Sequence, residues 1–159
     1  MKTELKRKDL SAAGFRFAIV VSRWNEVITS SLERGARKAL LDAGASSESI
    51  VTLEVPGAFE LPLACKWAAQ SGKYDAVIAL GVVIRGDTPH FDYVAGEAAA
   101  GIRHVALKTG IPVMFGVLTV NELSQAEERA ADGPDNKGYE AALSAVEMAV
   151  LKSSLIEPF

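Results

Sequence analysis

Short runs of β-branched and apolar residues alternate along this chain with Ala-rich stretches of helical period. That alternation calls for a parallel sheet with helices packed on it. The first run, Phe17 to Ser22 (FAIVVS), is almost wholly apolar. A strand with one face in water would alternate polar and apolar residues, so this one must be covered on both faces. Beyond Arg23-Trp24-Asn25, the residues Val27, Ile28, Leu32, Gly35, Ala36, Ala39, Leu40 and Ala43 recur at threes and fours. They describe a helix with Asn25 expected as its N-cap and Gly44 as its stop. Further strands are expected at Ile50 to Val55, Ala76 to Ile84 and Pro112 to Thr119. Helices are expected at Phe59 to Gln70, with Pro62 in the first turn, in the Ala-rich stretch from Asp92 to Lys108, near Ser124 to Ala131, and at Tyr139 to Ser153. Asp132 to Gly138 reads as a turn-rich connection. The fold class is therefore α/β, a mainly four-stranded parallel sheet between helical layers, with residues 1–14 an arm and residues 15–159 a single domain.

Composition narrows the function. A chain of 159 residues is expected to bury roughly 68 to 70% of its unfolded surface, enough for a core without disulfides or a structural metal. The single cysteine, Cys65, agrees. The first ten residues, MKTELKRKDL, are charged and hold no apolar stretch of the kind a secretory leader needs. The longest apolar run, Ala76 to Ile84, is half of the ~18 residues a membrane span requires. Secretion and membrane insertion are thus not expected, and the cytoplasm is. With 17 Lys+Arg against 20 Asp+Glu, the net charge is −3, and no basic stripe exists to hold a nucleic acid backbone. A small anion remains an acceptable ligand, because the field inside a pocket can oppose the net charge.

In an open parallel sheet, ligands bind outside the carboxyl ends of the strands. Four loops start there: Arg23-Trp24-Asn25, Pro56 to Glu60, Arg85 to Asp92, and Thr119 to Glu122. The third is the most informative. Gly86 permits close backbone approach, and Asp87 and Thr88 precede a helix whose first amides could receive a phosphate. Asp87 or Thr88 could equally cap that helix with its own side chain. An inward Asp87 carboxylate would repel a phosphate, so binding requires that only its backbone amide face the ligand. His90 shares the loop and suits proton transfer near neutral pH, or is a structural histidine. His104 falls inside the helix beside Arg103, where solvent or an interface is its expected partner. With no CxxC or HExxH pattern, a metal site is not expected, and Walker A, GxGxxG and GxSxG signatures are missing too. Trp24 could offer an indole face to a flat heterocycle or cap the core. Arg129 and Lys137 remain as cations for an anion, although Glu127-Glu128-Arg129 also reads as a solvated helix face. Phe115 would by default be core.

Six segments in order, SRWN at Ser22 to Asn25, VPGAFELP at Val55 to Pro62, GVVIRGDTPHFDYV at Gly81 to Val94, PVMFGVLT at Pro112 to Thr119, QAEERA at Gln125 to Ala130 and NKGYEAALSAVEMA at Asn136 to Ala149, closely resemble the 6,7-dimethyl-8-ribityllumazine synthase family. The resemblance spans nearly the whole chain. It implies a flavodoxin-like three-layer sandwich and the penultimate step of riboflavin biosynthesis. In that step 5-amino-6-(D-ribitylamino)uracil and 3,4-dihydroxy-2-butanone 4-phosphate condense with loss of phosphate and water. It implies that Trp24, where many members carry Phe, stacks on the pyrimidine, and that Ala58, Phe59 and Glu60 with Val82, Val83 and Ile84 line the ribityl and pyrimidine site. Asp87 and Thr88 match the phosphate-binding pair, and His90 matches the proton donor and acceptor. Phe115 and Arg129 match positions supplied by a neighbouring subunit, Arg129 at the phosphate, with Lys137 nearby in support. No cofactor and no metal are implied. The implied partners are further copies of the chain, as a pentamer or a 60-subunit shell, and riboflavin synthase. The short connection between Arg129 and Lys137 lacks the insertion associated with pentamer-only members and leans toward the shell.

Two other functions fit parts of the pattern. One is a flavodoxin-like carrier of riboflavin or a lumazine that keeps Trp24 without turnover, and the other is a shell component whose role is assembly. A carrier of an uncharged flavin has no use for a phosphate pocket, so Thr88, His90 and Arg129 argue against it.

Overall fold

The computed structural model describes residues 10–156. Four parallel strands, β1 (Phe17–Ser22), β2 (Ile50–Val55), β3 (Ala76–Ile84) and β4 (Val113–Val120), form one sheet in the order β2-β1-β3-β4. Five helices connect or follow them: α1 (Glu26–Asp42), α2 (Leu61–Gln70), α3 (His90–Thr109), α4 (Leu123–Ala130) and α5 (Lys137–Leu155).

The side-chain alternation of the two central strands sorts the core into halves. Phe17, Ile19 and Val21 of β1 with Ile78, Leu80 and Val82 of β3 face α1, α4 and α5. Ala18 and Val20 with Val77, Ala79 and Val83 face α2 and α3. Both faces are dry, which is why these strands read as unbroken apolar runs. Phe17, Ile19, Leu32, Leu40, Ile78 and Leu80 are fully buried, each contributing about 1.5–3 kcal/mol of transfer free energy. The expected strands are found, with β4 one residue later than its sequence pattern suggested.

Four helix starts differ from expectation, one being α3, which opens at His90 and takes in residues read as loop. Asn25 sits before α1 with φ 60 and ψ 52, and its side chain caps nothing; its carbonyl instead accepts from the amides of Ile28 and Thr29. Asparagine is one of the few residues that tolerates this left-handed conformation, so its function here is to turn the chain. Helix α2 begins at Leu61 because Ala58–Glu60 winds into a tighter single turn first. Helix α5 begins at Lys137, two residues early, because buried Asn136 caps it.

Asn136 also ties three helices together. Its Oδ1 accepts from Gly138 N at 2.8 Å and Tyr139 N at 3.0 Å, while Nδ2 donates to Ser31 O at 3.2 Å and Ala130 O at 2.9 Å. Every lone pair and proton that a buried amide needs to place is thereby used or nearly so. The helices approach closely enough that a Cβ on Gly35 would strike the Asn136 side chain, and one on Gly138 would strike the Leu32 carbonyl.

The arm read at residues 1–14 falls mostly outside the described residues. Of its final part, Ala12 is fully buried and donates its amide to Ala43 O at 2.9 Å, and Leu10 packs against the α1 side of the core.

Two measurements follow from these contacts. Asn136→Ala strands the Ala130 carbonyl at the end of α4, removes the second bond to Ser31 O and uncaps α5, so the unfolding free energy from urea titration should fall by roughly 2–4 kcal/mol. The thiol of buried Cys65 is pushed from 9.0 up to about 12 by desolvation. Between those values the unfolded chain gives up a proton that the folded chain keeps, so this group makes stability fall as pH rises through that window. A thiol-reactive dye at pH 8 should accordingly leave the native protein unlabelled and label it once urea unfolds it.

Candidate active site

All four strands point the same way, so the loops after β1, β2, β3 and β4 emerge at one end of the sheet. The ladders run past the strands, by two bonds from β1 and by one from β3. Arg23 N donates to Val55 O at 2.9 Å, Trp24 N to Pro56 O at 3.1 Å, and Arg85 N to Val120 O at 2.9 Å. Each loop therefore leaves the sheet from a backbone that its neighbour holds.

Trp24 is 62% exposed, yet its ring is placed. The indole lies against Gly57, where an added Cβ would come within 2.5 Å of Cε3. Glycine is needed there for close approach. Glu60 holds the same turn, its Oε2 accepting from Gly57 N at 3.0 Å. Ala58 is buried beneath, and Phe59, 58% exposed, points outward. Val82 and Val83 are buried side chains, and Ile84 is half-buried at the strand end. Whatever these three offer a ligand comes chiefly through the backbone.

Pro89 occupies the capping position of α3 and offers no side-chain bond, and Asp87 bonds none of the first amides; Thr88 does so weakly, its Oγ1 accepting from His90 N at 3.4 Å. Among the described residues the amides of Gly86, Asp87 and Thr88 make no hydrogen bond, and all three residues are exposed. Three donors are thus free in the turn that leads into a 20-residue helix, whose positive dipole end favours an anion. His90 is the first residue of that helix and is exposed beside this turn.

Arg85, assigned no role from sequence, organises the loop's base. Its Nε donates to Asn121 Oδ1 at 3.1 Å, both terminal nitrogens lie 3.5 Å from Asp92 Oδ1, and its carbon Cζ stands 4.2 Å over the Phe91 ring. Asn121 is itself held, since its amide donates to Gln125 Oε1 at 2.8 Å. An arginine closing a buried strand immediately before a glycine was the available sequence signal; its partners, seven and 36 residues away, were not.

Three candidates stand apart from this cluster. Phe115 is 46% exposed, not core, because β4 is an edge strand with no neighbour beyond it. It pairs with Ala79, five residues below the Ile84 and Val120 level, which at about 3.3 Å per residue puts it roughly 16 Å down the strand. With Lys137 it lines a separate cleft of about 270 Å³ between β4 and α5, where Lys137 Nζ meets Glu140 Oε2 at 2.9 Å. Arg129 bonds back to its own helix, Nη1 to Gln125 O at 3.0 Å, and lies 3.9 Å from the Glu128 carboxylate. Among the described residues no group of three or more His, Cys, Asp or Glu side chains is arranged to hold a metal ion, and no helix is long and apolar enough to cross a membrane.

Comparison with known proteins agrees with the motif order. The sequence is 55% identical, over 139 residues, to the 6,7-dimethyl-8-ribityllumazine synthase of Desulfatibacillum aliphaticivorans, an alignment covering 87% of this chain and 90% of that protein. The profile of the 6,7-dimethyl-8-ribityllumazine synthase family matches residues 14–153. A match of that extent, on a parallel α/β sheet with these loops at its carboxyl end, establishes that the chain belongs to the 6,7-dimethyl-8-ribityllumazine synthase family, a family of transferases.

Proposed function

We propose that this chain condenses 5-amino-6-(D-ribitylamino)uracil with 3,4-dihydroxy-2-butanone 4-phosphate, releasing phosphate and water, and that the turn from Gly86 to His90 is where the phosphate sits. The reaction follows from the family match. The placement of the phosphate rests on one observation: three unengaged amides, of Gly86, Asp87 and Thr88, in the turn that leads into α3, whose first residue is His90. Asp87 is compatible with an anion there through its backbone N–H. The Thr88 hydroxyl can add a further donor.

The chemistry suits these groups. An amine attacks a ketone, a phosphate departs, a proton shifts and a ring closes, which calls for proton shuttling and charge stabilisation. His90 carries protons, with the amides and Arg129 receiving the phosphate's charge. Trp24, seated over Gly57, stacks on the pyrimidine. Phe59, Ala58 and Glu60 with Val82, Val83 and Ile84 border the pyrimidine and its ribityl chain. Holding two substrates in reactive geometry contributes up to ~7 to 11 kcal/mol when alignment is ideal.

The site is completed by a second subunit, which brings Phe115 and Arg129, with Lys137 in support. This reading is supported by the depth of Phe115 on β4, which a ligand at the strand ends of the same chain does not reach. It is also supported by apolar side chains left in water on α2 and α3, Leu63, Trp67 and Tyr93, each more than half exposed. The assembly is a homopentamer, and the short connection between α4 and α5 favours closure of pentamers into a 60-subunit shell that can associate with riboflavin synthase. The cytoplasm, where a free buried thiol is ordinary, is its location.

Mixing the two substrates with the protein should release phosphate and generate the fluorescence of a lumazine; a carrier or an inert shell component would give neither. His90→Ala should slow turnover by up to about 100-fold without abolishing it, because substrate alignment survives, and complete inactivity with binding intact would contradict this division of labour. Arg129→Ala should raise the Michaelis constant for the butanone phosphate roughly 10- to 100-fold, the worth of one charge-assisted bond, and leave that for the pyrimidine unchanged. Sedimentation of the native protein should show pentamers or larger particles, with monomers counting against the shared site.

A further inference from the structure

The turn at residues 86–89 has little to hold it. The amides of Gly86, Asp87 and Thr88 make no hydrogen bonds among the described residues, the side chains are exposed, Gly86 has open space where a Cβ would stand, and the turn's own bonds run only to the helix it enters, Thr88 Oγ1 accepting from His90 N at 3.4 Å and Pro89 O from Asp92 N at 2.9 Å. Its position is therefore set by its two ends, the last residue before it and the first turn of α3. One side chain spans both. The backbone of Arg85 is fixed to β4 through Val120 O, and its guanidinium reaches across the turn to the Asp92 carboxylate and the face of Phe91 on α3. Phe91 packs in turn against the α2 and α3 side of the core. The remaining edge, Nε, is bonded to Asn121 at the β4 to α4 junction, where the Gln125 side chain holds the backbone.

We propose that Arg85 is a positioning residue for the phosphate-receiving turn, a clamp that fixes the distance between the end of β3 and the start of α3 so that the three amides converge on one anion. It rests on the reading of residues 86–90 as the phosphate site. Three of its five N–H donors are engaged by Asn121 and Asp92, which ties the guanidinium to the turn's two ends, and on this proposal it acts through the turn and not on the phosphate. A planar, forked and delocalised cation is required, because bonding to an amide oxygen, facing a carboxylate and lying on a ring must happen at once; an ammonium manages the charge alone.

Steady-state kinetics of Arg85→Met, Arg85→Lys and Asn121→Ala, with wild type and His90→Ala alongside, test this. Arg85→Met should raise the Michaelis constant for the butanone phosphate about 10-fold and change that for the pyrimidine by less than about twofold. Arg85→Lys should recover only part of the loss. Asn121→Ala leaves the guanidinium in place yet should move the same constant in the same direction, by about threefold, and the Arg85→Met/Asn121→Ala double variant should show less than the product of the two effects. A silent Asn121→Ala beside a damaged Arg85→Met would overturn the proposal in favour of direct phosphate contact. An equal rise in both Michaelis constants would overturn it in favour of a general loss of fold, as would full rescue by lysine for the geometry of the clamp. If His90→Ala behaves as wild type, the site reading itself fails; a normal His90 effect with silent Arg85 and Asn121 variants sinks the clamp alone.

Discussion

The site depends first on the register of a parallel sheet. Ser22 stands level with Val55 and Ile84 with Val120, and the hydrogen-bond ladder continues into the loops through Arg23 and Arg85. Because the strands are parallel, every connection that leaves their carboxyl ends must return as a helix, and so helix N-termini gather where loops can present side chains. A one-residue slip of β3 would exchange the two faces of the core and move Arg85 off its partner carbonyl, so burial of both faces and placement of the loop are the same constraint.

The helical layer behind the sheet depends on a polar group. Asn136 joins α1, α4 and α5 from a fully dry position, and it does so without leaving its own amide unsatisfied. Buried polar groups are costly when half-paired and specify a unique arrangement when fully paired. Gly35 and Gly138 belong to the same device, since any side chain at either would push α5 away from α1. Lys137, next to Asn136 in sequence, thereby acquires a defined place at the cleft beside Phe115. A residue that sequence reading valued for a charge owes its position to the neighbour it did not value.

The two groups of candidate residues differ in how they relate to the sheet. Trp24, the turn around Gly57, and the stretch from Arg85 to Asp92 share the carboxyl end of one subunit. Phe115 lies partway down an edge strand, and Arg129 is bonded back onto its own helix. An edge strand with exposed apolar side chains invites a neighbour, and the proposed division of the site between subunits would make assembly a condition for chemistry.

Much of the fold was legible because both of its periods are strong. The central strands, dry over most of their six and nine residues, cannot be mistaken for solvent-facing ones, and Ala-rich helices at threes and fours leave no rival. The misreadings cluster at helix starts, where side-chain type suggests a cap and only backbone angles decide: Asn25 resembled an N-cap and serves as a left-handed turn, and Asn136 resembled a turn and serves as a cap. Of the site, the loop positions and the residue types were readable by themselves, since chemistry at the end of a parallel sheet must use what its loops carry. That Gly57 exists for the indole of Trp24, that Phe115 lies in water, and that Arg85 meets Asn121 across 36 residues of chain were decided only in three dimensions. Local sequence encodes periodicity and turn chemistry, whereas contacts between distant segments exist only after the strands have paired and the helices have packed.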